Sequence, residues 1–234
     1  MKKRILGLVF GAAMVAGFGG CNANLSSFQV LGIVPPDDMC AFSAATTVFQ
    51  SDVVIDLNVA RRARVALLGR NTMVATLNEA AHVTELRTIM VEGARVRFRT
   101  ENFVKLAERY AFTFATVAPS QGSAPIPFEL LTSRDIDVLR GDTRIQNVIG
   151  QGQGTVTIVA NVQLDGRMTE GGRIQASEVA IPIRLCKGCL SGPQPPVPMG
   201  KTLEQVCREA TVVSPCLAGQ DAIVDFCLYD QLRR

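Results

Sequence analysis

Tryptophan is absent from the 234-residue sequence, histidine occurs once and tyrosine twice. Each scarcity excludes something. Sugar-stacking platforms are usually built from Trp or Tyr; there is no Trp, and Tyr110 reads as a core residue. Any Ser-His-Asp or Cys-His arrangement would have to use His82, the single imidazole. His82 lies in "NEAAHVTEL" with no Gly-x-Ser-x-Gly beside it, and reads as a solvated loop residue. Long apolar runs are scarce as well. The one at the start, Ile5 to Phe18, is too short for a bilayer core of roughly 30 Å. Charge of one sign is also missing. The chain has 24 basic and 21 acidic residues, and the excess of three is accounted for by Lys2, Lys3 and Arg4. Past those residues the charges balance, so nucleic acid is not expected as a partner. Gly150, Gly152 and Gly154 do not make a nucleotide loop, because they precede a strand pattern instead of following one and opening a helix.

What is present begins at the N-terminus. A positive start, an apolar run rich in Gly and Ala, and the small residues Gly19 and Gly20 lead to Cys21. This is the order of a secretory signal. The stretch Phe18-Gly19-Gly20-Cys21 resembles the lipobox of bacterial lipoproteins, with Phe18 departing from the usual aliphatic residue. The resemblance implies removal of residues 1–20 and acylation of Cys21; no cofactor is expected apart from that covalent lipid. Two or more acyl chains hold a protein stably on a membrane, at about 0.8 kcal/mol per buried methylene. Asn22, where Asp would favour inner-membrane retention, leans the expected location to the outer membrane, on its periplasmic or surface face.

Six cysteines remain after Cys21: Cys40, Cys186, Cys189, Cys207, Cys216 and Cys227. In an oxidising compartment an even six suggests three disulfides, in one of fifteen connectivities. If all pair, Cys40 must bond one of the five others, all at or after residue 186. The pair in "LCKGCLSGP" has three readings. A redox centre would want a helix N-terminus to lower a thiol pKa, and Gly192 and Pro193 follow instead. A zinc site would need ligands from Cys207, Cys216, Cys227 and His82, against the oxidising surroundings. No metal is expected. A structural disulfide, within the pair or to other cysteines, is the preferred reading.

Period-two alternation dominates the middle of the chain. It runs through Ile55, Leu57 and Val59; through Ala94, Val96 and Phe98; and through Tyr110, Phe112 and Phe114. It recurs from Val156 to Leu164 and from Val179 to Leu185. Each is expected to be a strand with those residues on its buried face. Turn signals fall at Pro119 to Pro127, Gly150 to Gly154, Asp165-Gly166 and Gly171-Gly172. One short helix is expected in "RDIDVLR", capped by Ser133, stopped by Gly141 and covering an open end. A second is expected near "TLEQVCREA", where Thr202 and Gln205 form a capping-box pattern. The fold class is all-β: an antiparallel β-sandwich, Ig-like or LEA-type, followed by a disulfide-stapled tail with one helix. The expected divisions are a tether at 21–36, a sandwich at 37–190, a Pro-rich spacer at 191–200 and a tail at 201–234.

Arg95, Arg97 and Arg99 share one face of their strand and are a candidate anion-binding stripe, for lipid phosphates or an acidic partner. The competing reading is a solvated face balanced by acids on neighbouring strands. Taken with the lipobox, the segments "VALLGRN", "VEGARVRF", "IPIRLCKGCL" and "SPCLAGQDAIVDFC" resemble cysteine-rich outer-membrane lipoproteins of myxobacteria and related bacteria. That resemblance implies no reaction. The alternating strands are also similar to the sandwich of desiccation-related LEA-type domains. The expectation is a lipid-anchored, non-catalytic binding or structural module of the cell envelope. Its partners would be the membrane, through the lipid, and an unknown envelope protein or polymer. The alternative is a thiol-disulfide oxidoreductase using Cys186 and Cys189.

Overall fold

The computed structural model describes residues 27–37, 39–73, 76–78, 83–85, 87–100, 103–117, 122–150, 154–209 and 216–233. Cys21 with the whole lipobox, and His82, lie outside the described residues. The described chain is mostly β. Its strands are β1 (Phe28–Val34), β2 (Val53–Asp56), β3 (Ala63–Asn71), β4 (Thr76–Asn78), β5 (Val83–Glu85), β6 (Ile89–Arg99), β7 (Arg109–Val117) and β8 (Ser123–Leu131). Two helices follow, α1 (Ser133–Gly141) and α2 (Thr143–Ile149). Then come β9 (Val156–Met168), β10 (Arg173–Gln175), β11 (Val179–Cys186), α3 (Leu203–Glu209) and α4 (Phe226–Arg233).

One sheet has the order β1-β3-β8 and is antiparallel throughout. The larger sheet has the order β2-β11-β9-β6-β7, with β10 beside the far end of β9. A small hairpin joins β4 and β5. Residues of both sheets meet in one apolar core, with Phe28, Leu67, Ile126 and Leu130 from the first and Ile55, Ile89, Val96, Ile158 and Ile183 from the second. The helices complete it with Ile136, Leu139, Ile145 and Ile149. Arg109 ties β7 to α1, pairing with Asp135 and donating to the Leu130 carbonyl. Arg140 ties α1 to the turn after β2, donating to the carbonyls of Leu57 and Ala60.

The two sheets touch where β7 runs along β8, but form no ladder there. Proline explains the gap. Pro125 and Pro127 lie two apart on β8, and the Pro127 carbonyl accepts a hydrogen bond from the Thr113 hydroxyl of β7. The side of these residues that faces β7 therefore carries no backbone N–H, and a ladder cannot propagate.

Several expectations need correction. The presumed tether contains β1, whose Phe28, Ile33 and Val34 are buried. The presumed strand from Val53 to Val59 stops at Asp56 and turns. The sheet is not purely antiparallel, because β2 joins β11 in parallel. Asp165-Gly166 is not a turn: β9 runs through it, and the chain reverses at Gly171-Gly172. A Cβ at Gly166 would lie 2.7 Å from the Met90 carbonyl, so glycine is there for close strand packing. Thr132, not Ser133, caps α1, in a reciprocal capping box with Asp135. Gly141 does not end the helical region, since Asp142 caps a second helix by accepting from the N–H groups of Arg144 and Ile145. The described residues of the tail hold two helices, where one was expected; the capping box of Thr202 and Gln205 does form on the first.

The largest correction concerns β7. Phe112 is 79 % exposed and Phe114 86 %, while Thr113 and Val117 are buried. The aromatic face of this strand looks outward.

Candidate functional site

Two places concentrate chemistry: a buried carboxylate beside a disulfide, and the outer face of the larger sheet. The first is built on Asp56, the last residue of β2, which is fully buried. Its Oδ1 accepts from the backbone N–H of Asn58 and of Gly188, each at 3.0 Å. Its Oδ2 accepts from the Leu190 N–H at 3.2 Å and from the Tyr229 hydroxyl at 3.0 Å. That hydroxyl in turn accepts from Asn58 Nδ2 at 3.0 Å. One carboxylate thus gathers β2, the loop after β11 and α4. Burial pushes the Tyr229 phenol up to about 12, and the nearby Asp56 charge acts in the same direction.

All six cysteines among the described residues are paired, as Cys40–Cys216, Cys186–Cys189 and Cys207–Cys227. Cys40 does reach a tail cysteine, 176 positions away. The Cys186–Cys189 bridge sits over Asp56, with Cys186 buried and Cys189 exposed. Between them Gly188 adopts the left-handed conformation, φ 78°, which directs its N–H to Asp56. Asp56, Cys186 and Cys189 have ligand atoms close enough to hold a metal ion. The donors argue for another role. Each carboxylate oxygen already accepts two hydrogen bonds, and the two sulfurs are bonded to each other. The zinc partners considered from the sequence, Cys207, Cys216 and Cys227, are in the other two bridges.

The tail does further work at the edge of β2. The Asp56 N–H donates to the Gly219 carbonyl, and the Asp221 N–H to the Val54 carbonyl. The Asp221 carboxylate accepts from the Val54 N–H. Burial raises the Asp221 pKa. Buried Gln220 adds a side-chain bridge to β3, accepting from the Arg64 N–H at 2.9 Å and donating to the Arg64 carbonyl at 2.7 Å. None of these residues stood out in the sequence. A glutamine or aspartate that satisfies backbone groups over a hundred positions away leaves no local pattern.

The second place is the outer face of the larger sheet. Arg95, Arg97 and Arg99 project from β6 on one face, as their spacing requires. Arg95 lies 3.8 Å from Asp165 on β9, and Arg97 pairs with Glu178 just before β11. Arg167 pairs with Glu92 at 2.8 Å. Two of the three stripe arginines, Arg95 and Arg97, are therefore matched by acids of neighbouring segments. Beside it, Glu92, Arg95, Tyr110, Asp165, Arg173 and Gln175 line an open hollow of about 580 Å³. Tyr110 lies across β6, where a Cβ at Gly93 would come within 2.4 Å of its ring. Burial raises the Tyr110 pKa, with Asp165 and Glu92 adding to it. Tyr110 and Phe112 stack edge to face at 5.1 Å, and Phe114 continues the row.

Compared with known proteins, the chain matches no family model and no curated protein.

Proposed function

We propose that the protein is a lipid-anchored, non-catalytic module of the cell envelope, held on the outer membrane by acylated Cys21. The carrying observation is the cysteine count: setting Cys21 aside, the remaining six close into three disulfides. That usage supports an oxidising compartment, where such bridges persist. On this reading the fold is a β-sandwich, its two sheets enclosing one core and its tail stapled across an edge. Its role is binding or scaffolding, with an envelope protein or polymer as the partner. The saturated Asp56 supports a structural role for the Cys186–Cys189 bridge, since every acceptor position of the carboxylate is already used.

Mass spectrometry of the membrane-extracted protein tests the anchor. The expected N-terminal peptide begins at Cys21 and carries acyl chains, and Cys21→Ala leaves unlipidated precursor. Normal processing and acylation of Cys21→Ala would overturn the lipobox reading.

One observation favours a second reading, thiol-disulfide exchange. Cys186 and Cys189 are bonded to each other, and Cys189 faces solvent. Redox titration separates the two readings. A potential below about −300 mV fits a structural bridge, and one near those of glutaredoxins, roughly −200 to −230 mV, fits exchange.

A further inference from the structure

The outer face of β7 carries an apolar row whose position relative to the chain entry is informative. Phe112 and Phe114 lie almost wholly in solvent, and Met90 of β6 is 54 % exposed beside them. Met90 stands directly opposite Thr116 and Gly93 opposite Phe112, so these side chains share one surface. Single exposed apolar residues are ordinary, but a contiguous aromatic patch marks a contact surface.

The entry of the folded body is at the same end of the sheet. Phe28 opens β1 opposite Asn71. The Asn71 side chain donates to the carbonyl of Val117, the last residue of β7, and to that of Arg87, just before β6. Phe114 is three residues back from Val117, on the order of 10 Å along the strand. Phe28 is seven positions after Cys21, a length of chain that extends at most about 25 Å. An acyl group on Cys21 would therefore keep this end of the body against the bilayer surface.

We propose that the Phe112, Phe114 and Met90 surface lies on the lipid bilayer, dipping its aromatic rings into the headgroup layer while the lipid on Cys21 holds the chain. This rests on the anchor reading above. Aromatic side chains suit that layer, where an apolar body meets a wet boundary. Charge plays a minor part. Arg95, Arg97 and Arg167 on the same face are each matched by an acid, which weakens attraction to anionic lipid, so contact with the membrane rests mainly on the apolar row.

The absence of tryptophan makes the test direct. Full-length acylated protein carrying Phe112→Trp or Phe114→Trp is reconstituted into phosphatidylethanolamine and phosphatidylglycerol vesicles, with and without brominated acyl chains. Ile223→Trp, in the tail beside the opposite edge, is the control. The expected result is blue-shifted emission for both β7 probes, quenched about twofold or more by bromine, with the control unquenched at low and high salt. Co-flotation with unquenched β7 probes overturns the membrane-facing surface and leaves the anchor standing. A blue shift without bromine quenching overturns it too, and points to a second copy of the chain on this face. Failure to co-float overturns the anchor reading, and this inference with it.

Discussion

The larger sheet ends in two edge strands, and they are finished in opposite ways. At β2 the tail covers the edge: Gly219, Gln220 and Asp221 take up its backbone groups and those of neighbouring β3. Asp56 and Tyr229 lock the cover from behind, and Cys40–Cys216 holds it in place. At β7 nothing among the described residues ladders onto the edge; prolines on β8 stop the pairing, and the aromatic side chains stand in solvent. Edge strands are templates for unwanted pairing, so each needs a device. Apolar burial does not distinguish the two edges. The covered edge relies on polar side chains and disulfides; the unladdered edge lies along β8, and its strand displays the more apolar outer face.

If the cover of β2 depends on Asp56, removing its carboxylate should produce the largest effect. Asp56→Ala strands three backbone N–H groups and a phenol in a buried space. Each unsatisfied buried donor costs about 1–3 kcal/mol, and values do not simply add. The expected loss is roughly 3–5 kcal/mol in guanidinium unfolding, with β2 amides becoming the fastest to exchange. A loss under about 1 kcal/mol would show that the tail is held by its disulfides alone.

The disulfide contribution is next. Cys40→Ser with Cys216→Ser removes the bridge of sequence separation 176 without leaving a free thiol. Disulfides of this kind are worth typically about 2–4 kcal/mol, mainly by restricting the unfolded chain. Limited proteolysis should then cut the tail first. Equal cleavage of tail and core would mean the two unfold as one unit, and the contrast between the edges would lose its meaning.

A smaller effect is expected at Gln220. Gln220→Ala leaves the Arg64 N–H without its side-chain acceptor, at a cost of about 1–2 kcal/mol. Exchange should speed up at Arg64 and leave β7 unchanged.

What the sequence disclosed, and what it hid, follows the same division. Alternation located β6, β9 and β11, because a period of two is a property of the strand itself. On these three the apolar face is also the inner one, as Val96, Ile158 and Ile183 show, but on β7 it is not. On β7 the bulky residues Tyr110, Phe112 and Phe114 share a face, and bulk suggested the core. The ladder decides otherwise: Ala115 stands opposite Val91 and Ala111 opposite Ala94, so small side chains face the tightly packed interior. β1 was hidden by its neighbours Pro35 and Pro36, which read as the end of a tether. Counting alone, independent of geometry, ties Cys40 to a tail cysteine, and Cys216 is that partner. In the sequence Asp56 alternates with Ile55 and Leu57, as an outward polar residue of a strand does. Its burial depends on donors from residues 188, 190 and 229, which no local pattern connects.

Tyr229 offers a pH test of the covered edge. Its phenol is raised in the folded state, so folding binds a proton that the unfolded chain releases near pH 10. The stability it contributes is complete below pH 10 and is lost as pH rises towards about 12. The parent protein should therefore lose stability across that window, measured by rapid denaturant unfolding with disulfides intact. Tyr229→Phe should be less stable at pH 8 and show a shallower fall. An identical fall in both would mean that another group carries the alkaline sensitivity.

The open edge should give the smallest change of all. In Phe112→Ser with Phe114→Ser, neither side chain removed belongs to the core, and neither leaves a polar group unsatisfied. Surface changes of this kind usually fall within about 0.5 kcal/mol, and unfolding midpoints should coincide with the parent's. Solubility should rise, because the largest exposed aromatic surface is gone. A loss above about 1 kcal/mol would show that these rings are packed in solution, against another copy or against chain outside the described residues. The edge would then be covered after all, by apolar contact where β2 uses polar contact. A null effect on stability leaves the rings with no role in holding this fold, which is the condition under which a surface contact is the remaining reason for their placement.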